Sequence, residues 1–413
     1  MQSSSNFWSC IETLKHDLIK NKRVSNVQRM SEDTLIRQKF DVEQPQEDVS
    51  RQVVIERIEK EIKQMLHAIA RGEPPKLSFL CRTSWSSVRF DQEYGVQLHQ
   101  PSNKQCSEDF QAKMTTVTFG WAPSIKKYAL MVHLLSVIYR LVHTNTFCTK
   151  RDIYYQNPEL FGSQRHLDEI VDDIACLLAV PRRSLHVTAT SKGLIAGDLQ
   201  YTEADGRFVD CNTTSSGILL TSNVDGITNM CSHAKFVLVV EKDATFQKLL
   251  DDNIFTQLGP CIIITGKGMP DVNSRLMVRK LADTLQLPTL ALVDADPHGV
   301  EIMCVYKYGS KSMSFAARDL TLTSLRWLGV LPSDIHKLQI PETSLMPLSK
   351  TDLDKARDLM SRPYFSTQPD WIHQLKMMVA SGKKAEIQAL TAISASFLTD
   401  VYLPNKIRYG GWI

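Results

Sequence analysis

The chain has 413 residues, of which 43% are hydrophobic and 23% are charged, and its formal net charge is +3. This length allows two or three domains, and the composition is ordinary for a globular protein. The mild charge neither requires nor excludes nucleic-acid binding. Because no stretch approaches the roughly 20 apolar residues of a membrane span and the first ten residues lack signal-peptide features, we expect an intracellular protein. The nine cysteines are scattered without metal-binding spacing, so we expect reduced core thiols.

The N-terminal third combines a polar segment, an amphipathic helix and a loop-like stretch. Residues 1–50 predict a mobile tail with one short helix near residues 11–19, and residues 76–115 predict a linker. Between them, 52–70 has apolar residues at helical spacing. Either this helix packs on its own domain or it is presented to a partner protein, and periodicity alone does not decide. The apolar positions are Ile55, Ile58, Ile62, Met65, Leu66 and Ile69.

The next segment predicts helices followed by a β-hairpin. Apolar helices are predicted over 125–143 and 164–178, and the runs 183–188 and 193–201 resemble the two strands of a hairpin. Helices followed by such a wing are typical of a winged helix-turn-helix, a frequent DNA-binding module. Polar, turn-rich residues 202–232 then predict a linker.

From residue 233 the pattern alternates between buried strands and helices. Strands are predicted at 236–240, 261–265 and 289–293, each followed by a helix, at 243–251, 273–285 and 298–306. This alternation is typical of a parallel sheet covered by helices. The C-terminal part predicts three more helices, over 353–360, 371–380 and 385–397. The fold class is therefore α/β.

Two of these strands end in acidic residues. Glu241 directly follows the first strand, and Asp294 and Asp296 follow the third. Ligands in open α/β sheets bind at the carboxyl ends of the strands, and carboxylate oxygens suit Mg²⁺. A single acid at such a place, such as Asp243, is more often a helix cap. The three together predict a metal site, provided that the backbone stays extended so that Asp294 and Asp296 face one ion.

A tyrosine pair lies ahead of the predicted wing, in Cys148-Thr-Lys-Arg-Asp-Ile-Tyr-Tyr155. A tyrosine attacks a phosphodiester only if cations favour the phenolate and stabilise charge on the phosphate, and Lys150 and Arg151 could serve. Alone, the pair would more often be a packing feature. It occurs, however, in one order with further motifs, which are Pro181-Arg-Arg-Ser-Leu-His-Val187, Ser191-Lys-Gly-Leu-Ile-Ala-Gly197, Val239-Val-Glu-Lys-Asp-Ala-Thr-Phe246, Thr265-Gly-Lys-Gly-Met-Pro-Asp271 and Asp294-Ala-Asp-Pro-His-Gly299.

This series resembles the A subunits of topoisomerase VI and their eukaryotic relatives that make meiotic DNA double-strand breaks. The likeness runs from about residue 115 to the end, and the last twelve residues resemble the animal form. It implies a winged-helix (CAP-like) domain at 111–201 that carries the catalytic tyrosine. It also implies a Toprim, Rossmann-like domain at 233–413, with 202–232 as linker and 1–110 as a helical N-terminal extension.

The resemblance also implies residue roles. Tyr155 matches the nucleophile, Tyr154 is its neighbour, and Arg151 matches the supporting arginine. The metal ligands for Mg²⁺ would be Glu241, Asp294 and Asp296. The expected DNA contacts are Lys150, Lys192, Gly193 and Lys267.

Two positions depart from the family pattern. Met269 stands where an aromatic residue is common, which puts base stacking at that point in doubt. His298 replaces a common tyrosine, and we interpret it as a core or rim histidine without a catalytic role.

The implied activity is transesterification, in which Tyr155 becomes linked to a 5′ phosphate of double-stranded DNA. Cutting both strands needs two tyrosines, so the resemblance implies a homodimer, at least transient, whose sites each combine the tyrosine of one protomer with the acids of the other. It further implies a topoisomerase VI B-like partner docked through the 52–70 helix at Ile58 and Ile62, accessory meiotic break proteins, and a nuclear, chromosomal location. The sequence has no P-loop motif, so ATP-driven strand passage would need another chain.

Three other functions stay open from the residues. The A-type chain of an ATP-dependent type IIB topoisomerase would reseal its breaks while relaxing or decatenating DNA. A Toprim nuclease would use water in place of tyrosine and leave no protein on the DNA. A catalytically inert scaffold would bind DNA without reacting.

Overall fold

The structure, a computed structural model, describes residues 50–82, 84–98 and 113–413, together with residues 12, 13 and 16. The predicted N-terminal tail and most of its short helix lie outside these residues. The chain divides into two compact units. Among the described residues, the helical unit comprises 50–82, 84–98, 113–190 and 309–318, and the sheet unit comprises 12, 13, 16, 191–308 and 319–413.

No helix in the described part of the chain is both long enough and apolar enough to cross a bilayer.

The helical unit contains five complete α-helices and six short strands in its described residues. Its helices are α1 (Arg51–Ala70), α2 (Ala122–Thr144), α3 (Lys150–Gln156), α4 (Pro158–Phe161) and α5 (Gln164–Leu178), and its strands are β1 (Lys76–Leu80), β2 (Val88–Asp91), β3 (Gly95–Leu98), β4 (Met114–Thr118), β5 (Cys148–Thr149) and β6 (Val187–Thr188).

Helix α1 packs on the core of its own unit. Ser50 caps its first turn by accepting a hydrogen bond from the Val53 amide. Ile58 is only 2% exposed and belongs to the same hydrophobic core as residues of α2 and α5, and Ile62 packs against that core. The prediction that Ile58 and Ile62 form a partner-binding surface is therefore wrong, because this face of the helix is already buried.

The prediction of a linker over 76–115 is also wrong for its described residues, and residues 83 and 99–112 lie outside the described part of the chain. Strands β1 and β4 pair antiparallel from Lys76↔Thr118 to Leu80↔Met114, and β2 pairs with β3. Leu77 and Val117 bury their side chains, so one face of this ribbon contributes to the core. The polar residues on its other face concealed the strand period from the sequence analysis.

The predicted hairpin between 183–188 and 193–201 does not form. Strand β6 instead pairs in parallel with β5, next to the tyrosine helix. The second run contains β7 (Leu194–Gly197), which pairs antiparallel with Ile262–Thr265 inside the large sheet of the other unit. Ile195 and Ala196 are fully buried there, so burial in that sheet outweighs pairing with the nearer segment in sequence.

The sheet unit is built on a six-stranded sheet whose order, from one edge to the other, is Ile218–Leu219, Leu194–Gly197, Ile262–Thr265, Val237–Val240, Thr289–Leu292 and Arg326–Gly329. Its strands are β7, β8 (Gln200–Thr202), β9 (Phe208–Asp210), β10 (Ile218–Leu219), β11 (Thr228–Cys231), β12 (Val237–Val240), β13 (Ile262–Thr265), β14 (Thr289–Leu292), β15 (Arg326–Gly329), β16 (Met346–Pro347) and β17 (Lys383–Lys384). Its helices are α6 (Asp243–Asp251), α7 (Ile254–Leu258), α8 (Val272–Leu285), α9 (Pro297–Tyr308), α10 (Ala317–Leu320, which crosses the unit boundary), α11 (Pro332–Lys337), α12 (Lys350–Ser361), α13 (Pro369–Ser381) and α14 (Leu403–Arg408).

The predicted α/β alternation is confirmed. Strands β12, β13, β14 and β15 are parallel, with Val240 opposite both Thr265 and Leu292. Every residue of β12, β13 and β14 is buried, as expected for strands covered on both faces. The register places the carboxyl ends of β12 and β14 side by side. Residues 202–232, predicted as a linker, contribute strands β9 to β11.

The C-terminal segment differs from its prediction at one place. Helices α12 and α13 confirm two of the three predicted helices. The third, over 385–397, is instead a 3₁₀ turn at Ile387–Ala392, preceded by a bridge between Ala385 and Ala295. Two backbone hydrogen bonds between Ala385 and Ala295 hold the start of the segment in an extended conformation, which excludes a helix there.

Candidate active site

The tyrosine pair lies on helix α3, which a capping box fixes at its start. The Thr149 hydroxyl accepts a hydrogen bond from the Asp152 amide at 3.1 Å, and an Asp152 carboxylate oxygen accepts from the Thr149 amide at 3.2 Å. Ile153 anchors the helix in the core of the helical unit. A short helix that would be marginal alone is thus fixed at one end and on one face.

The two tyrosines occupy different environments on this helix. Tyr154 is half-buried and packs against the core, whereas Tyr155 is 69% exposed. Their ring centroids lie 5.6 Å apart, at an interplanar angle of 59°. The geometry therefore leaves the phenol of Tyr155, rather than that of Tyr154, accessible to a large substrate.

Two basic residues precede the pair and differ in their contacts. Arg151 is exposed and lies four residues before Tyr155, on the same side of the helix. Within the described residues it forms no hydrogen bond or ion pair. Lys150 is instead paired with Asp168, with 3.0 Å between Nζ and Oδ2. Of the two, Arg151 is the better placed to meet a phosphate near Tyr155.

The predicted acids lie at the carboxyl edge of the sheet, in the sheet unit. Glu241 and Asp294 are buried, with 7% and 3% of their surface exposed. The Asp294 amide donates to Glu241 Oε2 at 2.8 Å, and the Ile387 amide donates to Asp294 Oδ1 at 2.9 Å. The adjacent ends of β12 and β14 therefore bring these two carboxylates into one small buried region.

Asp296 is engaged differently. Its Oδ1 accepts a hydrogen bond from the Gly299 amide at 2.6 Å, so it caps the start of α9. Among the described residues, no group of three or more Asp, Glu, His or Cys side chains is arranged to hold a metal ion. The structure thus joins Glu241 with Asp294 and leaves Asp296 beside them as a helix cap.

The electrostatics of this region point to missing positive charge. Burial, together with the negative charge of Asp294, raises the pKa of Glu241 to about 8, and burial also raises the pKa of Asp294. One ammonium already sits there, since Lys242 Nζ lies 2.7 Å from Asp294 Oδ2. Burial alone would lower the pKa of Lys242, but its hydrogen bonds to Asp294 and Glu386 outweigh burial and raise it.

The residues fit a divalent cation. Buried carboxylates with raised pKa values gain most from a counter-charge, and the Lys242 ammonium on Asp294 is a stand-in for such a cation. Gly299 keeps the space open, because a Cβ there would lie 2.9 Å from Glu241 Oε2 and 2.6 Å from the Asp294 carbonyl oxygen. Oxygen ligands of this kind suit Mg²⁺.

Several residues of this region were missed by the sequence analysis. Lys242 and Glu386 flank Asp294, and the Ile387 amide orients its carboxylate. Gly299 had been noted only as part of a motif. The only signal for Lys242 was its place directly after Glu241, and residue 386 lies far along the chain in a segment predicted to be helical.

The predicted DNA contacts in the sheet unit are held by protein partners. The Lys192 amide donates to Asp271 at 2.8 Å and its Nζ donates to the Lys267 carbonyl at 3.1 Å. The Lys267 Nζ lies 3.1 Å from Asp243 Oδ2. A Cβ on Gly193 would lie 2.9 Å from the Thr265 carbonyl oxygen, so close packing against β13 explains this glycine.

The two departures from the family pattern lie at the surface. Met269 is about half exposed in the turn after β13. His298 is also about half exposed, and its Nε2 lies 3.4 Å from Asp352 Oδ1. The interpretation of His298 as a rim residue agrees with this position.

Comparisons with known proteins agree with both halves of this arrangement. Residues 236–407, which contain the acids, match the family model for the Toprim domain of topoisomerase 6 A subunits and Spo11, and residues 126–187, which contain Tyr155, match the type IIB DNA topoisomerase model. The meiotic recombination protein SPO11 of Mus musculus is 49% identical over 87% of this chain and 88% of its own length, and that of Homo sapiens has the same identity and coverage. The DNA topoisomerase 6 A subunit of Arabidopsis thaliana is 38% identical over 73% of this chain and 70% of its own length. The chain belongs to the family of topoisomerase 6 A subunits and Spo11 proteins.

Proposed function

We propose that this chain makes the DNA double-strand breaks that initiate meiotic recombination, by a topoisomerase-like transesterification. The observation that carries the proposal is the exposed phenol of Tyr155 on a capped helix, in a chain that is 49% identical to two meiotic recombination proteins over 87% of its length. The division into a tyrosine domain and a Toprim domain belongs to the same proposal, with the boundary placed between residues 190 and 191, where the two compact units divide. So does a nuclear location, since the substrate would be chromosomal DNA.

The reaction needs few protein groups. The Tyr155 phenol gives up its proton, and its oxygen attacks and bonds to the phosphorus of a 5′ phosphate. The bond from that phosphorus to the 3′ oxygen breaks, and the 3′ oxygen takes up a proton to become a hydroxyl. Arg151 would stabilise the charge on the phosphate oxygens with its planar guanidinium. Mg²⁺ held by Glu241, Asp294 and Asp296 would supply electrostatic stabilisation of the phosphate. Asp296 would have to exchange its cap hydrogen bond for this role.

Two copies of the chain would act together. A double-strand break consumes one tyrosine per strand, and each chain offers one exposed tyrosine on α3. The nucleophile and the acids also belong to different compact units. We therefore propose a homodimer, at least transient, in which Tyr155 of one protomer works with the acids of the other.

A topoisomerase VI B-like protein is the proposed partner, with accessory meiotic break proteins. The buried face of α1 is not free for docking, but the same helix presents Leu66 and Ile69, which are 59% and 60% exposed. We place the partner contact on these two residues. ATP hydrolysis, where it occurs in such a complex, would be supplied by that partner.

The decisive experiment traps the covalent product. DNA is incubated with the chain, its partner and Mg²⁺, the reaction is stopped with denaturant, and the attached peptide is identified after proteolysis. Tyr155→Phe should fold and bind DNA but give no adduct, while Tyr154→Phe should still give one. An adduct formed by Tyr155→Phe would overturn the assignment, and breaks without attached protein would indicate a water-using nuclease.

The alternative is the A-type chain of an ATP-dependent type IIB topoisomerase. The plant topoisomerase relative, at 38% identity, favours it less strongly than the meiotic relatives favour break formation. Addition of ATP and a B-like partner separates the two, because a topoisomerase would reseal its breaks and change the linking number of circular DNA.

A further inference from the structure

One ammonium serves two carboxylates at the edge of the acid pocket. The Lys242 Nζ lies 2.7 Å from Asp294 Oδ2 and 3.2 Å from Glu386 Oε1. The Asp294 side chain is buried, whereas half of the Glu386 side chain is exposed. Lys242 is therefore shared between a predicted metal ligand and an acid with no role in the mechanism described above.

Backbone contacts fix this arrangement. Ala385 and Ala295 exchange two hydrogen bonds, of 2.9 and 3.2 Å, and the amide two residues further on, that of Ile387, binds Asp294 Oδ1. Glu386 lies between these two anchors, so its side chain is delivered to the same edge. Oδ1 of Asp294 is thus held by the backbone, and Oδ2 faces the lysine.

A bound divalent cation and this ammonium compete for the same oxygen. An ion on Asp294 Oδ2 would lie within a few ångströms of Nζ if the lysine stayed in place. Like charges repel strongly at such distances in a partly buried region, because the effective dielectric constant is far below that of water. Glu386 offers the displaced ammonium an acceptor that it already contacts, so the lysine can leave Asp294 without becoming unpaired.

We propose that Lys242 is an internal counter-ion which occupies the metal position on Asp294, and that Glu386 holds this lysine once the metal has bound. Metal loading is then an exchange of one cation for another. Glu386 acts through Lys242 and is a positioning residue, not a ligand. The inference rests on the proposed metal role of Glu241 and Asp294 and adds the residues that set how tightly they bind.

The exchange makes opposite predictions for the two residues. Replacing Lys242 with methionine removes the competitor and should tighten binding about tenfold, the effect of about 1.4 kcal/mol. Replacing Glu386 with glutamine removes the acceptor and should weaken binding several-fold. In the Lys242→Met background the Glu386→Gln change should have no effect, because the lysine through which it acts is gone.

The test is isothermal titration of the DNA-free chain with Mn²⁺ and Mg²⁺ at fixed pH and ionic strength. Lys248→Met is the matched control, since this lysine pairs with Asp252 in the last turn of α6 and should leave the affinity nearly unchanged. Melting in EDTA checks that each variant is folded, and Lys242→Gln replaces the methionine variant if that one does not fold.

Each outcome bears on a different statement. If Lys242→Met binds the metal no more tightly than the parent, or no more tightly than Lys248→Met, the counter-ion role is wrong. If Glu386→Gln weakens metal binding equally in the parent and in Lys242→Met, Glu386 acts as a ligand or as a distant charge. The transfer of the Lys242 ammonium from Asp294 to Glu386 is then wrong. If Glu241→Gln binds the metal as tightly as the parent, the metal site does not include Glu241. The proposed function would then lack the cation assigned to it.

Discussion

The pKa of Glu241 makes a prediction about stability in the absence of metal. Burial and the charge of Asp294 raise this pKa from 4.5 to about 8. Between these two values the folded chain holds a proton that the unfolded chain has released. Stability therefore falls as the pH rises through this window, and the loss is complete above pH 8.

The size of this effect follows from the two pKa values. The interval from 4.5 to about 8 corresponds to at most about 5 kcal/mol, at about 1.36 kcal/mol per pH unit. Between pH 6 and pH 8.5 the metal-free chain should lose about 2–3 kcal/mol through this group. Glu241→Gln carries no charge to bury, so it should lose much less and be more stable than the parent at pH 8.5.

Urea unfolding in EDTA at the two pH values measures this difference. Mg²⁺ should restore the parent at pH 8.5 and leave Glu241→Gln unchanged. Glu342→Gln is the control, because this exposed carboxylate pairs with Lys383 at the surface and should leave the pH dependence as it is. Equal pH slopes for the parent and Glu241→Gln would refute the reasoning.

Three further variants test other parts of the arrangement. Arg151→Ala should lower the yield of covalent DNA adduct by about 100-fold at unchanged melting temperature, and Arg151→Lys should recover part of that yield. Equal adduct yields for Arg151→Ala and the parent would show that the arginine has no role in the reaction. Gly299→Ala should weaken Mg²⁺ binding about tenfold by calorimetry and should also lower the melting temperature. A Cβ 2.6 Å from the Asp294 carbonyl oxygen forces the backbone to shift, and a gain of about 1 kcal/mol in helix propensity offsets only part of that cost. An unchanged affinity would contradict the role of Gly299 in keeping the space beside the acids open. Combining Leu66→Asp with Ile69→Asp should leave the chain folded and abolish co-purification with the partner. Ile58→Asp should instead unfold the helical unit, because it places a charge in the core. If the double variant still co-purifies with the partner, the docking surface lies elsewhere.

The sequence predicted the sheet unit well because its strands are buried on both faces. Apolar runs such as 236–240 leave little room for another interpretation, and the observed helix Asp243–Asp251 matches its prediction at both ends. The prediction failed where pairing partners are distant. Strand Leu194–Gly197 pairs with a strand more than sixty residues away and not with the adjacent segment 183–188. The antiparallel strands 76–80 and 114–118 were missed because only one of their faces is buried, which weakens the apolar pattern in the sequence.

The candidate site was predictable only in its acids and its tyrosine. Glu241 and Asp294 follow strands, and parallel register alone brings them together. Tyr155 is exposed and Tyr154 is not because only one side of this seven-residue helix packs on the core. The residues alone do not predict that side, so the choice of Tyr155 as nucleophile came from the resemblance. Glu386 could not be predicted, because nothing in the sequence around this glutamate indicates that it contacts Lys242.

The bridge between Ala295 and Ala385 decides when, during synthesis of the chain, the acid site can be completed. A ribosome that has passed Asp296 has already synthesised all three acids, but the amide that orients Asp294 belongs to residue 387. A nascent chain, or one truncated between residues 297 and 385, would carry every predicted ligand without the segment that aims them. The carboxylate of Asp294 is therefore oriented only after the segment through residue 387 has been synthesised.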